Sequence, residues 1–499
     1  MITRILFYVF LLAMLACTQS EPAQGLVRVG VAELPITLDP RYATDAASQK
    51  VQAFIHRGLT RQDEHFLPQA DIASHWLQKN PLTWDFFLRN DVFFHDGRPV
   101  LGDDVVATLR SVMDAEQASP LRASFASIKS MEVLDNHHIR LHLSEPDAAL
   151  LTRLNIGILP QEIARQSQQV RGIVGCGAFV FKSWQKNTIL LERKNKKNTT
   201  GAVQRIAFIR VKDAVTRSLK LARGEIDMMQ NDFPLHMLPY LRQQPGVKIV
   251  STASTTFAYI GINLQDKYLA NVQVRHALAL GVDRKKLKKA LFLDAPVLAE
   301  TILGKNHWAA AQLPTMAYNP AKAMVLLDNA GFPVRADGWR FHLTYRTSTN
   351  PERLRLATAI AAGWRDLNID VSIESLEWGS FYARIKRGDF QLFSLSWVGI
   401  SDPDIYRWIL HSDMWPPKGA NRGRYHNAHV DDWLMAAMHS TSVEQRIDFY
   451  RQVQQQMYHD QVYIPLWYEP VIAVMGTRIS GFIPQMNGAL TPLMNAKLR

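Results

Sequence analysis

Sixteen histidines and two cysteines are the first places to look for chemistry in this chain, and their spacing offers little. His138 and His142 would share one face of a helix, a spacing that suits two metal ligands. Ile139, Leu141 and Leu143 alternate with Arg140 and His142, however, which is a strand pattern that projects His138, Arg140 and His142 from one side. The arginine between the imidazoles opposes a bound cation. His426 and His429 form an H-x-x-H beside Asp431 and Asp432, a chemically better set, although such groups in a polar loop more commonly stand in water. Gly175 and Gly177 make a G-x-G without the third glycine of a dinucleotide site, and the G-x-S-x-G, H-E-x-x-H and G-x-x-x-x-G-K-[ST] motifs are absent. The motifs therefore yield no catalytic residue, no metal site and no cofactor site. Cys176, flanked by those glycines and without a nearby His or Lys, reads as a small buried residue rather than a reactive thiol.

Binding chemistry is better represented than catalysis. Trp397, Tyr406, Trp408, Trp415, Arg422, Arg424 and Tyr425 supply aromatic and cationic surface within residues 397–425. A ligand carrying a carboxylate or phosphate next to an apolar or aromatic portion suits such a wall. The same aromatics can also build a core, and Trp408 fits that role better. Asp402 precedes Pro403, the usual chemistry of a turn.

The elements that would position these residues alternate between strand and helix, so the class is mixed α and β. Residues 26–31 alternate as a first strand. Residues 83–88 and 92–95 suggest a hairpin, with Asp96 and Gly97 as turn formers. Asp103 opens a helix in which Val105, Val106, Leu109 and Val112 recur at helical spacing. Asn319, Pro320 and Gly331 frame another as cap, first-turn proline and terminal glycine, and Ser442 with Gln445 predicts the start of a third. Residues 341–345 and 390–397 read as strands.

Length and charge bound the remaining options. At 499 residues the chain has room for about three domains. Lys and Arg total 57 against 45 Asp and Glu, giving +12, yet the basic residues are scattered among acidic ones, so nucleic acid is set aside as a partner. Arg4 is followed by an uncharged apolar run, residues 5–16, and then by Cys17. That run is too short to span a bilayer and reads as a cleaved export signal. Ala16 before Cys17 resembles the lipobox of bacterial lipoproteins, which implies residues 1–16 as signal peptide and residues 17–25 as a tether lipidated at Cys17.

Ordered segments along the chain resemble the family 5 extracellular solute-binding proteins, the peptide- and nickel-binding lipoproteins that feed ABC importers. They include Trp84-Asp85-Phe86-Phe87-Leu88-Arg89, Val92-Phe93-Phe94-His95-Asp96-Gly97-Arg98-Pro99 and Asp103-Asp104-Val105. Further along come Gly175-Cys176-Gly177-Ala178-Phe179, Gly224-Glu225-Ile226-Asp227, Val274-Arg275-His276-Ala277-Leu278 with Val282-Asp283-Arg284, Tyr318-Asn319-Pro320, Ala330-Gly331-Phe332-Pro333 and Gly388-Asp389-Phe390-Gln391.

The resemblance implies a periplasmic binding protein-like α/β fold of the three-domain class II type. Residues 26–45, 175–255 and 470–499 would form domain Ia, residues 46–174 domain Ib and residues 256–469 the second lobe, with hinge strands at 255–263 and 463–472. It implies ligand contacts from Tyr259 and Asn263, through an aromatic-x-x-x-Asn pattern, and from the loop after Trp397. In that loop the dipeptide and oligopeptide binders hold an Asp, three residues past the Trp, that pairs with the ligand's α-amino group. Here the position is Ile400, with Asp402 and Asp404 as the nearby carboxylates. The expected binding set is Tyr259, Asn263, Trp397, Asp402, Arg422, Arg424 and Tyr425. The expected function is capture, without chemistry, of a peptide or peptide-like small ligand by a lipid-anchored periplasmic monomer that serves an ABC permease and its ATPase. A ligand sensor or chaperone, a metal-chelate binder of the nickel type and an exported hydrolase are the alternatives.

Overall fold

The computed structural model describes residues 25–166, 173–195, 201–440 and 442–499. The expected signal peptide and Cys17 lie outside the described residues. So does most of the tether.

Two long strands run through the molecule, Val247–Ile262 and Tyr463–Gly476. Their sequences are rich in Val, Ile, Thr, Tyr and Phe, side chains that pack well on a pleated surface. They pair antiparallel with each other and lie in one eleven-stranded sheet. On one side stand Leu392–Trp397, His342–Ser348 and Asp370–Leu376; on the other stand Met228–Gln230, Leu26–Val31, Arg205–Arg210, Thr188–Arg193 and Phe179–Gln185. The sheet is thus shared by two lobes. Residues 247–253 pair with residues 470–476 in the first lobe, and residues 257–261 pair with residues 463–468 in the second. Between these two registers Ser254, Thr255 and Thr256 stand opposite Glu469 alone, a bulge at the junction. The crossing strands are longer than the sequence segments predicted, because each continues into the first-lobe sheet.

Helices cover both faces of the second lobe. Ala258, Ile260 and Ile262 join a core with Trp364, Tyr345 and Leu278 on one side of the sheet. Phe257 and Tyr259 join a different core with Phe393, Tyr406 and Tyr450 on the other. Burial on both faces is why these strands read as near-continuous apolar runs. The helices Pro320–Asn329 and Val443–His459 begin where the caps predicted, with the Asn319 and Ser442 side chains accepting from Lys322 N and Gln445 N.

A four-stranded antiparallel sheet stands apart from the large one, in the order Ala73–Asn80, Thr83–Leu88, His138–Leu143, Ile128–Asp135. Helix Gly102–Met113 supplies Val105, Leu109 and Val112 to its inner core. The strand predicted around His138 is present, and His138 and Arg140 both bond Asp85 on its outer face. The hairpin predicted between residues 83–88 and 92–95 does not form. Thr83–Leu88 already has a neighbour on each edge, so Val92 and Phe94 drop into the core instead. Asp96 and Gly97 still make a turn, with Phe94 N donating to Arg98 O at 2.8 Å.

Gly175 and Gly177 are explained by close approach rather than by phosphate binding. A Cβ at Gly175 would stand 2.1 Å from the Ile55 carbonyl oxygen. Burial pushes the Cys176 thiol between them up to about 11, which keeps it protonated and inert.

The segment Gly224-Glu225-Ile226-Asp227 ends in a carboxylate that ties three strands together. Asp227 accepts from Arg28 Nε at 3.0 Å and Nη2 at 2.9 Å, and from Arg478 Nε at 3.0 Å and Nη2 at 2.6 Å. Burial alone would raise its pKa; the bonds from Arg28 and Arg478 outweigh it and hold the carboxyl below its usual range. Asp227→Ala leaves two cations facing each other and should cost about 3 kcal/mol in urea unfolding at neutral pH. Because the native pKa is depressed, the contribution is complete above the unfolded value of ~4 and is lost as pH falls through the native one. The stability gap between wild type and variant should therefore close in strong acid.

Candidate functional site

The site is located by strand direction. His342–Ser348 runs parallel to both Asp370–Leu376 and Leu392–Trp397, and Trp397 pairs with Phe257 beside the bulge. Leu26–Val31 runs parallel to Arg205–Arg210 and Met228–Gln230, and Gln230 pairs with Ala473 on the crossing strand. The carboxyl ends of the parallel strands in both lobes therefore point at the junction between them. Ligands of open α/β sheets bind outside those ends.

On the first-lobe side of the junction lies a cavity of about 470 Å3. Its lining includes Gln49, Lys50, Gln52 and His56 from helix Ala46–Ile55 and its end, with Thr152 and Asn487. The size suits a small ligand. Burial pushes His56 down to about 4, so its imidazole is neutral at physiological pH. Its Nε2 donates to Leu38 O at 3.1 Å, leaving Nδ1 as an acceptor. His56 Nδ1 and Gln52 Oε1 are both buried without a partner among the described residues. This wall is rich in polar groups.

The second-lobe wall is aromatic and cationic. Tyr259 is fully buried, stacked on Trp397 at 6.1 Å and packed on Tyr463 at 4.5 Å. Its hydroxyl accepts from Arg422 Nη1 at 3.0 Å, and burial pushes the phenol up to about 12. Arg422 also donates to the Tyr382 hydroxyl at 3.2 Å and lies 4.4 Å from the centroid of Trp397. Tyr382 stacks on Trp378, the exposed first residue of helix Trp378–Arg387. Trp378 and Tyr382 escaped notice in the sequence, although their i, i+4 spacing on one helix face was a usable signal.

The expected binding residues divide into two groups. Tyr259, Trp397 and Arg422 form one cluster, and Asp402 stands in the loop that leaves it. Asn263, Arg424 and Tyr425 are elsewhere, committed to other bonds. Asn263 follows Ile262, which pairs with Leu392 at the end of the strand remote from Trp397, and its Nδ2 donates to Phe390 O at 2.9 Å. Arg424 stacks over Trp415 at 5.7 Å, and Tyr425 donates its hydroxyl to Asp460 at 2.5 Å. These three hold the outer part of the lobe together. His426 precedes helix Ala428–His439 and His429 lies within it, stacked on Trp433; among the described residues no group of three or more metal-type ligands comes together.

Asp402 does two jobs. Its Oδ1 accepts from Asp404 N at 2.9 Å, the turn role expected of it, and its Oδ2 accepts from the Thr152 hydroxyl at 2.7 Å. The second contact crosses from one lobe to the other and was not foreseen. It belongs to a seam in which Arg446 Nη1 reaches Ala148 O at 3.3 Å, Phe66 stacks on His307 at 5.6 Å, and His65 Nδ1 bonds Asn306 O at 2.8 Å. Asp404 lies just behind, bonded by Arg446 and Tyr450. Burial, reinforced by Asp402, raises the Asp404 carboxyl to about 6 against the pull of Arg446. Neither partner of the 2.7 Å contact announces it in sequence, because 250 residues separate them. Thr152→Val keeps the shape and deletes the donor, and should cost about 1 kcal/mol by removing a hydrogen bond to a part-buried carboxylate. Hydrogen exchange should then rise at residues 150–154 and 400–404 while the crossing strands stay protected; unchanged exchange in both segments would deny the contact a holding role.

Residues 68–415 match the family model for bacterial extracellular solute-binding proteins, family 5, middle region. The chain is 26% identical over 446 residues to the probable di/tripeptide-binding protein 5 of Pseudomonas aeruginosa (strain UCBPP-PA14), covering 82% of this chain and 84% of that one. It is also 26% identical over 447 residues to the heme-binding protein A of Haemophilus influenzae, covering 83% and 81%. Among solved structures, HbpA2 from Haemophilus parasuis superposes with a TM-score of 0.85 at 22% identity, covering 95% of this chain and all of that one. The unliganded open form of the murein tripeptide-binding protein MppA superposes with 0.84 at 20% identity, covering 96% and 98%.

Proposed function

We propose that this chain, which belongs to the family 5 bacterial extracellular solute-binding proteins, captures a peptide or peptide-like small ligand between its lobes and delivers it to the membrane permease of an ABC importer. The observation that carries the reading is the bulge at residues 254–256, where two strands shared by both lobes change register beside the junction. A cleft flanked by a two-strand crossing can close by rotation while each lobe stays rigid. The first-lobe wall suits a peptide-like ligand, since Gln49, Lys50, Thr152, Asn155 and Asn487 bring amide, ammonium and hydroxyl groups to the cavity lining. The reading contains no chemical step.

Small-angle scattering tests the closure. Mature protein saturated with a defined dipeptide and tripeptide mixture should show a smaller radius of gyration than the same protein alone. An unchanged radius, with binding confirmed by equilibrium dialysis, would remove rotation about residues 254–256 from the mechanism.

The reading includes export and anchoring at Cys17, motivated by the apolar run that ends at Ala16. One acyl chain holds a protein only marginally, so stable anchoring requires more than one chain on this cysteine. Cys17→Ala should move the protein from the membrane to the soluble periplasmic fraction of a Gram-negative host. Retention of the variant in the membrane pellet would rule out the lipid anchor.

A further inference from the structure

Arg422 is a buried cation with no acidic partner among the described residues. Only 9% of it is exposed, and among the described residues it bonds just two groups, the hydroxyls of Tyr259 and Tyr382. Charge is normally brought out of water with a counter-charge, because a neutral phenol replaces only part of the lost hydration. Other buried arginines of this lobe have their N–H groups taken up: Arg284 pairs with Glu300, Arg446 with Asp404 and Arg340 with Asp328, while Arg275 donates to the carbonyls of Leu269, Ala270 and Asp460. Two phenols occupy one N–H each, and a guanidinium has five to give.

The surroundings select what the missing partner can be. Trp397 and Tyr382 offer ring faces to the guanidinium at 4.4 and 5.5 Å, which fixes its plane and leaves its edge for a planar acceptor. Trp397 ends the strand that reaches the junction, and Trp378, 55% exposed, extends the aromatic surface along helix Trp378–Arg387. The surface around the arginine is therefore aromatic, and it borders the junction at Trp397. Meanwhile the one carboxylate of the 398–404 loop closest to the rim, Asp402, is already bonded to Thr152 and to its own turn.

We propose that Arg422, enclosed by Trp397 and Tyr382, is an anion subsite that selects ligands presenting a carboxylate beside an apolar or aromatic group. The inference rests on the capture reading above and gives it a chemical class. The ligand's carboxylate completes the charge pair as the lobes close, and its apolar neighbour packs on Trp378 and Trp397. Free α-amine recognition is not required of such a ligand.

The test uses four probe sets on the mature protein: alanyl-phenylalanine with its amine free or acetylated, each as the C-terminal acid and as the C-terminal amide. Equilibrium dialysis with mass-spectrometric quantitation gives the four affinities. The acids should bind about 30-fold more tightly than the amides, with acetylation changing little, and Arg422→Gln should abolish the acid preference. Arg422→Lys, which keeps the charge without the planar fork, should restore part of it, and Lys386→Gln, which removes an exposed cation 5.2 Å from the Tyr382 ring, should leave it intact. Thermal melts of the variants confirm that they fold, and the wild-type comparison of acid with amide needs no variant at all. Equal binding of acids and amides, or an acid preference that survives in Arg422→Gln, would overturn the subsite while leaving capture standing. Retention of none of the four would overturn both.

Discussion

Everything in this molecule depends on the pairing of two strands that belong to both lobes at once. Residues 247–262 and 463–476 hydrogen-bond to each other on each side of the junction, so the lobes are not beads on a linker but two halves of one sheet. The bulge at Ser254, Thr255 and Thr256 is the wider of two interruptions in that pairing, the other falling between Ala258 and Tyr259. It sits where the carboxyl ends of the parallel strands converge, so the proposed pivot and the proposed binding place coincide. Separate flexible linkers would have allowed neither the alignment of the two rims nor a defined approach.

The walls of the junction are chemically unlike. The first lobe presents amides, a lysine and a neutral imidazole around a cavity; the second presents stacked rings around a guanidinium. A ligand that satisfies both must be amphipathic along its own length. That asymmetry follows from how each wall is built. Helix Ala46–Ile55 buries Val51, Phe54 and Ile55 against its sheet and so turns Gln49, Lys50 and Gln52 toward the opening, whereas the second-lobe wall is the edge of an aromatic core that has run out of sheet to cover.

How much of this was legible beforehand depended on distance along the chain. Helix caps at Asn319 and Ser442, the strand around His138 and the apolar character of the crossings are local signals, set by side chains within a few positions of one another, and each element formed where it was expected. The 92–95 hairpin failed because pairing depends on which edges are free, and the edges of Thr83–Leu88 were taken by strands on either side of it in sequence. Among the site residues, Tyr259 and Trp397 meet across paired strands, and Arg422 reaches them with its side chain from a turn, whereas Asn263 stands at the opposite end of the strand that carries Tyr259 and Arg424 and Tyr425 are taken up by Trp415 and Asp460. A separation of four residues spans roughly 13 Å along a strand, which is the distance between the positions of Tyr259 and Asn263. The seam between Thr152 and Asp402 had no local signal.

The bulge has one more property. Thr255 N donates to Met486 O at 3.0 Å, and Thr255 O accepts from Ile400 N at 3.3 Å. The residue at the pivot is thus held by a loop from each lobe, and with the Thr152–Asp402 seam beside it the second lobe is fastened along a line rather than at a point. A body fastened along a line has a single rotational degree of freedom: it can swing but cannot slide or twist. In the proposed closure Trp378 and Tyr382, set away from that line, would travel farther for a given turn than residues 400–404, which lie beside it. Such a lever makes the gape at the outer rim, not the room at the pivot, the quantity that a bound molecule's length controls.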